Sequence, residues 1–116
     1  METLYTIGYE KRTQEEFFSI LARAKIGVLM DVRDVAWSHK PGFSKGSLAE
    51  TAMTAGLLYE HAQFAGNPKA LRATAPDLDA LLDVYGRHLD EHPEIVQRFR
   101  ELVKRFTDEK KRVCIM

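Results

Sequence analysis

The chain has 116 residues, of which 45% are hydrophobic and 29% charged, and its 17 basic and 17 acidic residues give a net charge of zero. This composition indicates one globular domain with its own core and gives no overall positive field that would favour nucleic acid. The single cysteine excludes an intrachain disulfide, and no apolar run approaches the roughly 20 residues of a membrane span, so we expect a cytoplasmic protein without a membrane partner.

The first third of the chain predicts a strand, a helix and a second strand. Residues 4–7 are rich in strand-forming side chains, and Thr13 with Glu16 forms a capping box that begins a helix. We expect Gly27 to end this helix in a left-handed cap. The run Val28–Asp34 starts with apolar residues and ends in charge, which predicts a strand buried on both faces. A strand–helix–strand unit of this length predicts a right-handed crossover and a parallel strand pair.

The rest of the chain predicts further helices and two more strands. Ser47 with Glu50 forms a second capping box, and residues 57–61 and 113–116 have strand composition. Further helix signals are a C-terminal cap at Gly56, an N-terminal cap at Asp77 and a first-turn proline at Pro93. Residues 1–116 are therefore predicted to form a single small three-layer α/β domain with about four mainly parallel strands and helices on both faces.

Three predicted loops should meet at the carboxyl edge of the sheet, where α/β proteins bind ligands. They follow the first three strands and cover residues 9–12, 33–43 and 61–72. The ligand-binding candidates in them are Arg12, Arg33, Trp37, Lys40 and Arg72. A guanidinium matches the paired oxygens of phosphate or carboxylate, and the indole offers a stacking face. His61, at the end of the third strand, is the candidate catalytic acid or base.

Each candidate also has a structural interpretation. Arg33 can close an ion pair with Asp31, two residues before it, and His61 can be a hydrogen-bonded core histidine. Trp37 can pin its loop to the core. Cys114 lies in an apolar strand, which predicts an inert thiol. No metal-ligand, dinucleotide or P-loop motif is present, so we expect no metal or cofactor.

Two functions remain open from the residues alone. The first is an enzyme or anion-binding domain that acts on a phosphate-, sulfur- or nucleotide-bearing ligand at the carboxyl edge. The second is a non-catalytic module that binds nucleic acid or protein, with Tyr9 and Trp37 stacking on bases. The oligomeric state is not predicted.

The chain resembles the uncharacterised domain-of-unknown-function family 488 along nearly its whole length. The resemblance rests on Thr6-Ile7-Gly8, Asp31-Val32-Arg33, Phe43, Gly56, Tyr59, His61, Gly66-Asn67-Pro68-Lys69 and Arg72. It implies a small α/β domain with a parallel sheet and no established activity. Members typically carry, after the last strand, a segment with two cysteines, the second followed by His-Arg. The resemblance places Cys114 just before this segment, so we expect a C-terminally truncated domain. Asp31-Val32-Arg33 is also similar to the second strand of rhodanese-type sulfurtransferases, an analogy at the level of the fold.

Overall fold

A computed structural model describes residues 4–66 and 78–116, and in these ranges the chain forms four strands and four α-helices. The strands are β1 (Leu4–Thr6), β2 (Val28–Asp31), β3 (Leu58–His61) and β4 (Val113–Ile115). The helices are α1 (Gln14–Arg23), α2 (Lys45–Thr54), α3 (Leu78–Glu91) and α4 (Pro93–Asp108), and a 3₁₀ turn spans Gln63–Ala65. The predicted α/β class is confirmed. The predicted cap Asp77 and the candidate Arg72 lie outside the described residues.

The four strands form one sheet in the order β1-β4-β2-β3, and every neighbouring pair is parallel. β1 and β2 run in the same direction, but the prediction that they pair directly is wrong, because β4 lies between them. The reason is burial. Val113 and Cys114 of β4 are buried, whereas the residues of β1 are partly or largely exposed, so the more apolar strand takes the central place.

β2 is buried at all of its residues, as the apolar run predicts. Its side chains alternate between two cores. Leu29 packs with Cys114 in the core that α1 and α2 cover. Val28 and Met30 pack in the second core, beneath α4. Coverage of both faces explains why the sequence of this strand does not alternate between apolar and polar residues.

The start of α1 agrees with the sequence and the start of α2 does not. The Thr13 hydroxyl accepts the amide of Glu16 at 3.1 Å, which confirms Thr13 as the N-cap of α1, and it donates to the Glu16 carboxylate at 3.2 Å. The second capping box is wrong, because α2 begins at Lys45 after the N-cap residue Ser44. Ser47 lies inside the first turn of α2, and its hydroxyl instead accepts the side-chain amide of Gln14 at 3.1 Å.

Of the two predicted C-terminal caps, one is confirmed and the other is wrong. Gly56, just after α2, has φ +79°, which is the left-handed conformation expected of it. Gly27 does not cap α1. Lys25 takes the left-handed position there with φ 57°, and the amide of Gly27 already bonds to the carbonyl of Arg112 beside β2. Within the described ranges, none of the helices combines the length and hydrophobicity needed to cross a bilayer.

Candidate functional site

Asp31 ends β2 at the carboxyl edge of the sheet and is completely buried. Its Oδ1 accepts the backbone amide of Arg33 at 3.1 Å and the Arg33 Nε at 2.8 Å. Its Oδ2 accepts Arg33 Nη2 at 2.7 Å and the Tyr59 hydroxyl at 2.5 Å. Each carboxylate oxygen therefore has two donors, and the guanidinium binds the carboxylate with both arms of its fork.

These contacts determine the ionisation of the buried group. Burial by itself raises the pKa of Asp31, but the hydrogen bonds from Arg33 and Tyr59 outweigh it and hold the pKa below its ordinary value. Burial by itself lowers the pKa of Arg33, and the bonds to Asp31 reverse this, so that its pKa is raised. Burial and the bond to Asp31 both raise the pKa of Tyr59. At neutral pH the site holds a carboxylate, a guanidinium and a neutral phenol.

Arg33 is therefore mainly committed to Asp31, which is the structural alternative that the sequence left open. Its side chain is only 15% exposed. One nitrogen, Nη1, is buried without a hydrogen-bond partner among the described residues. The guanidinium carbon lies 5.4 Å from the centre of the Tyr9 ring. Arg33 thus links the Asp31 network to the loop that follows β1.

Two further predicted cations meet at this loop, residues 8–12, which we call the Tyr9 loop. The Lys40 ammonium donates to the backbone carbonyl of Tyr9 at 2.8 Å, and the Arg12 Nε donates to the carbonyl of Gly8 at 3.1 Å. The Tyr9 ring stacks on Phe43 with 4.9 Å between ring centres. The structure thus brings Arg12, Arg33 and Lys40 together at the carboxyl edge, as predicted from their loops.

Trp37 lies in the same loop as Lys40 but is not the residue that anchors it. Phe43 is completely buried and makes the contact with the core. Trp37 is 58% exposed, and its ring meets His39 edge to face at 4.3 Å. Its structural interpretation as the loop's pin is therefore wrong, and the indole is accessible to a ligand.

His61 ends β3, and its Nε2 lies 2.6 Å from the backbone carbonyl of Arg33. Because a carbonyl only accepts, Nε2 carries the proton of this hydrogen bond. Nδ1 has no hydrogen-bond partner among the described residues. His61 lines two adjoining clefts of about 440 and 480 Å³, and neither is lined by Arg12, Lys40 or Trp37. The predicted site residues therefore form two groups that meet at the backbone of Arg33.

Two arginines that line the His61 clefts were not predicted from the sequence. Arg98 lines both clefts, and Arg105 lines the first. Both belong to α4, whose charged residues look like an ordinary solvent face in the sequence. The available signal was their spacing, since residues seven apart lie on one face of a helix.

The described residues contain no group of three or more His, Cys, Asp or Glu side chains placed to hold a metal ion. The rings of His88 and His92 lie 4.5 Å apart, but His92 Nδ1 is bonded to the carbonyl of His88 at 2.8 Å. Cys114 is buried in β4, and burial raises its pKa to about 11. Its thiol is therefore protonated at neutral pH, as expected for an inert cysteine.

Comparison with known proteins gives one match. The family model described as a domain of unknown function, DUF488, matches residues 13–116, which is most of the chain. No curated protein and no solved structure matches the chain.

Proposed function

We propose that the chain, which belongs to the DUF488 family of domains of unknown function, binds a small oxyanion such as phosphate or sulfate beside the Tyr9 loop. The proposal places the ligand at the carboxyl edge of a parallel sheet, where the loops after β1 and β2 meet. Arg12 and Lys40 supply the contacts, whereas the charge of Arg33 is balanced by Asp31. An oxyanion is also the ligand that the cations of these loops predict from the sequence.

The observation that carries the proposal is how these cations are anchored. Lys40 and Arg12 are each held by a backbone carbonyl, and neither forms an ion pair with a carboxylate among the described residues. A carbonyl bond fixes the side chain without cancelling its charge. Among the described residues, the Lys40 ammonium has one hydrogen-bond acceptor for its three N–H donors, and the four Nη donors of Arg12 have none. Positive groups that are positioned but not neutralised favour an anionic ligand.

The binding test uses Lys40→Ala and Arg12→Ala. We expect each to weaken binding of phosphate and of sulfate by about tenfold or more, because each removes a charge-assisted hydrogen bond. Binding is measured by titrating ¹⁵N-labelled protein and following the amide signals of residues 8–12. Arg33→Ala is less suitable, because it leaves the Asp31 carboxylate buried without its cation.

Lys45→Ala is the matched control, because Lys45 is an exposed cation that follows the same loop as the first residue of α2, and its side chain makes no hydrogen bond or ion pair with the described residues. It should bind both anions like the wild type. Equal affinity for all four proteins, or signal shifts that avoid the Tyr9 loop, would remove the proposed site.

The exposed indole supports a second candidate function, single-stranded nucleic-acid binding. Trp37 is more than half exposed and lies three residues from Lys40, which is the combination of a stacking face and a cation that such proteins use. We expect oligonucleotide binding to quench Trp37 fluorescence and to weaken steeply as salt rises. Trp37 is the one tryptophan of the chain, so no other indole contributes to this signal. Unchanged fluorescence at low salt with single-stranded DNA and RNA would contradict this candidate.

A further inference from the structure

The cleft between the end of β3 and α4 contains charged side chains that the proposed oxyanion site does not use. Its volume is about 440 Å³, within the range of sites for small ligands. The polar side chains that line it are those of Glu60, His61, Arg98, Glu101 and Arg105. Cations, carboxylates and a histidine in one cleft fit a ligand that has both an anionic group and hydrogen-bond donors.

Arg98 is held in a position suited to an anion. Its guanidinium carbon lies 4.0 Å from the centre of the Phe64 ring, at the 3₁₀ turn. Stacking uses the face of the guanidinium and leaves the N–H groups at its edge available. Arg98 makes no ion pair with a carboxylate among the described residues. Arg105 lies seven residues further along α4, on the same face, and stacks on Phe106 with 5.0 Å to the ring centre.

The other side of the cleft accepts hydrogen bonds. The Nε2 proton of His61 is used by the Arg33 carbonyl, so in the tautomer protonated at Nε2 the Nδ1 atom is a hydrogen-bond acceptor. Glu60 lines the cleft beside it. An ionised carboxylate can only accept hydrogen bonds and repels a bare phosphate. Inorganic phosphate would therefore satisfy Arg98 and leave Glu60 and His61 with water as their donor.

We propose that this cleft binds a phosphomonoester whose organic part carries hydroxyl groups, with Arg98 on the phosphate and with Glu60 and His61 Nδ1 on the hydroxyls. Hydroxyl groups can donate to both acceptors without adding charge to a cleft in which two guanidinium and two carboxylate groups already balance. The phosphate then has a donor in Arg98, and the hydroxyls have acceptors in Glu60 and His61. This site is separate from the Tyr9 loop and does not depend on it.

The test compares glycerol 3-phosphate, inorganic phosphate and phosphoethanolamine as ligands of the ¹⁵N-labelled protein. The amides of His61, Phe64 and Arg98 report on the cleft, and that of Tyr9 reports on the other site. We expect glycerol 3-phosphate to bind at the cleft about tenfold more tightly than inorganic phosphate, because it adds hydroxyl donors for Glu60 and His61. Tighter binding of phosphoethanolamine than of glycerol 3-phosphate would contradict hydroxyl groups as the preferred donors.

Variants of the cleft separate the two parts of the ligand. Arg98→Ala and Arg98→Gln should each weaken glycerol 3-phosphate binding about tenfold or more, since either removes a charge-assisted phosphate contact. Glu60→Gln should remove most of the preference over inorganic phosphate. Arg23→Ala, an exposed arginine on α1, is the matched control and should bind like the wild type.

Several outcomes would overturn the proposal. They are equal affinity for the three ligands, binding by Arg98→Ala that matches Arg23→Ala, and signal shifts confined to the Tyr9 loop. Lys40→Ala keeps this test distinct from that of the oxyanion site. It should leave binding of glycerol 3-phosphate at the cleft unchanged, whether or not the Tyr9 loop binds an anion.

Discussion

Asp31→Asn is expected to lower the free energy of unfolding at neutral pH by about 3–5 kcal/mol, the usual effect of removing one partner from a buried ion pair. The carboxylate is completely buried and accepts hydrogen bonds from Arg33 and Tyr59. An asparagine amide would turn an N–H group toward donors that need an acceptor. It would also leave the guanidinium of Arg33 without its counter-charge. Urea unfolding at pH 7 measures the difference.

Two further variants test whether the lost charge of Asp31 causes the destabilisation. Adding Arg33→Met to Asp31→Asn removes the stranded cation, so the double variant should be more stable than Asp31→Asn alone. Asp108→Asn is the matched control. Asp108 pairs with Lys104 at 2.7 Å, but its side chain is 56% exposed, so its loss should change stability by no more than about 1 kcal/mol. Equal destabilisation by Asp108→Asn and Asp31→Asn would contradict the role of the buried pair.

The same pair predicts how stability depends on pH. The pKa of Asp31 is lower in the folded protein than in the unfolded chain, so its contribution to stability is present above the unfolded value of about 3.9. It is lost as the pH falls through the lower, folded value. The stability gap between the wild type and Asp31→Asn should therefore stay constant from pH 7 to about pH 5 and shrink below about pH 4. A gap that persists unchanged below pH 3 would show that the carboxylate charge is not its cause.

The parts of the fold that the sequence predicts correctly are those that local pattern and burial determine together. The apolar run of β2 reflects a strand covered on both faces. The Thr13 hydroxyl accepts the amide of Glu16 within the first turn of α1. The position of β4 is different. Strand order depends on how apolar each strand is compared with the others, so Val113–Ile115 taken alone does not determine it.

The site shows the same division between local and long-range information. Loops at the carboxyl edge could be predicted to bring Arg12 and Lys40 together, because parallel strands end at the same edge. The spacing of Asp31 and Arg33 permits an ion pair but does not require it. The Tyr59 hydroxyl, 28 residues further along the chain, donates the fourth hydrogen bond to the Asp31 carboxylate and so stabilises its charge beside Arg33. A contact of that kind follows from the register of β2 and β3 and is invisible in the sequence of either strand.

Gly66→Ala is expected to destabilise the protein by about 3 kcal/mol, at the upper end of the usual effect of overpacking. A Cβ atom at Gly66 would lie 2.3 Å from the Val32 carbonyl oxygen and 2.6 Å from the Asp34 amide nitrogen. Both contacts are with backbone atoms, so no side-chain rotation relieves them. The backbone on either side of Arg33 has to move instead, and the Arg33 carbonyl is the group that holds His61.

Gly86→Ala provides the matched control for this substitution. A Cβ atom at Gly86 would meet no atom within 4 Å, and the residue lies inside α3. The same change should therefore stabilise the protein there by up to about 1 kcal/mol, because alanine is the better helix former. Thermal unfolding compares the two variants, and the amide signals of Arg33 and His61 report on the site. Since the clash acts on the backbone on either side of Arg33, whose carbonyl bonds His61, Gly66→Ala should shift these signals and Gly86→Ala should not. Unfolding of Gly66→Ala at the wild-type temperature, with both signals unchanged, would contradict the close backbone approach at Gly66.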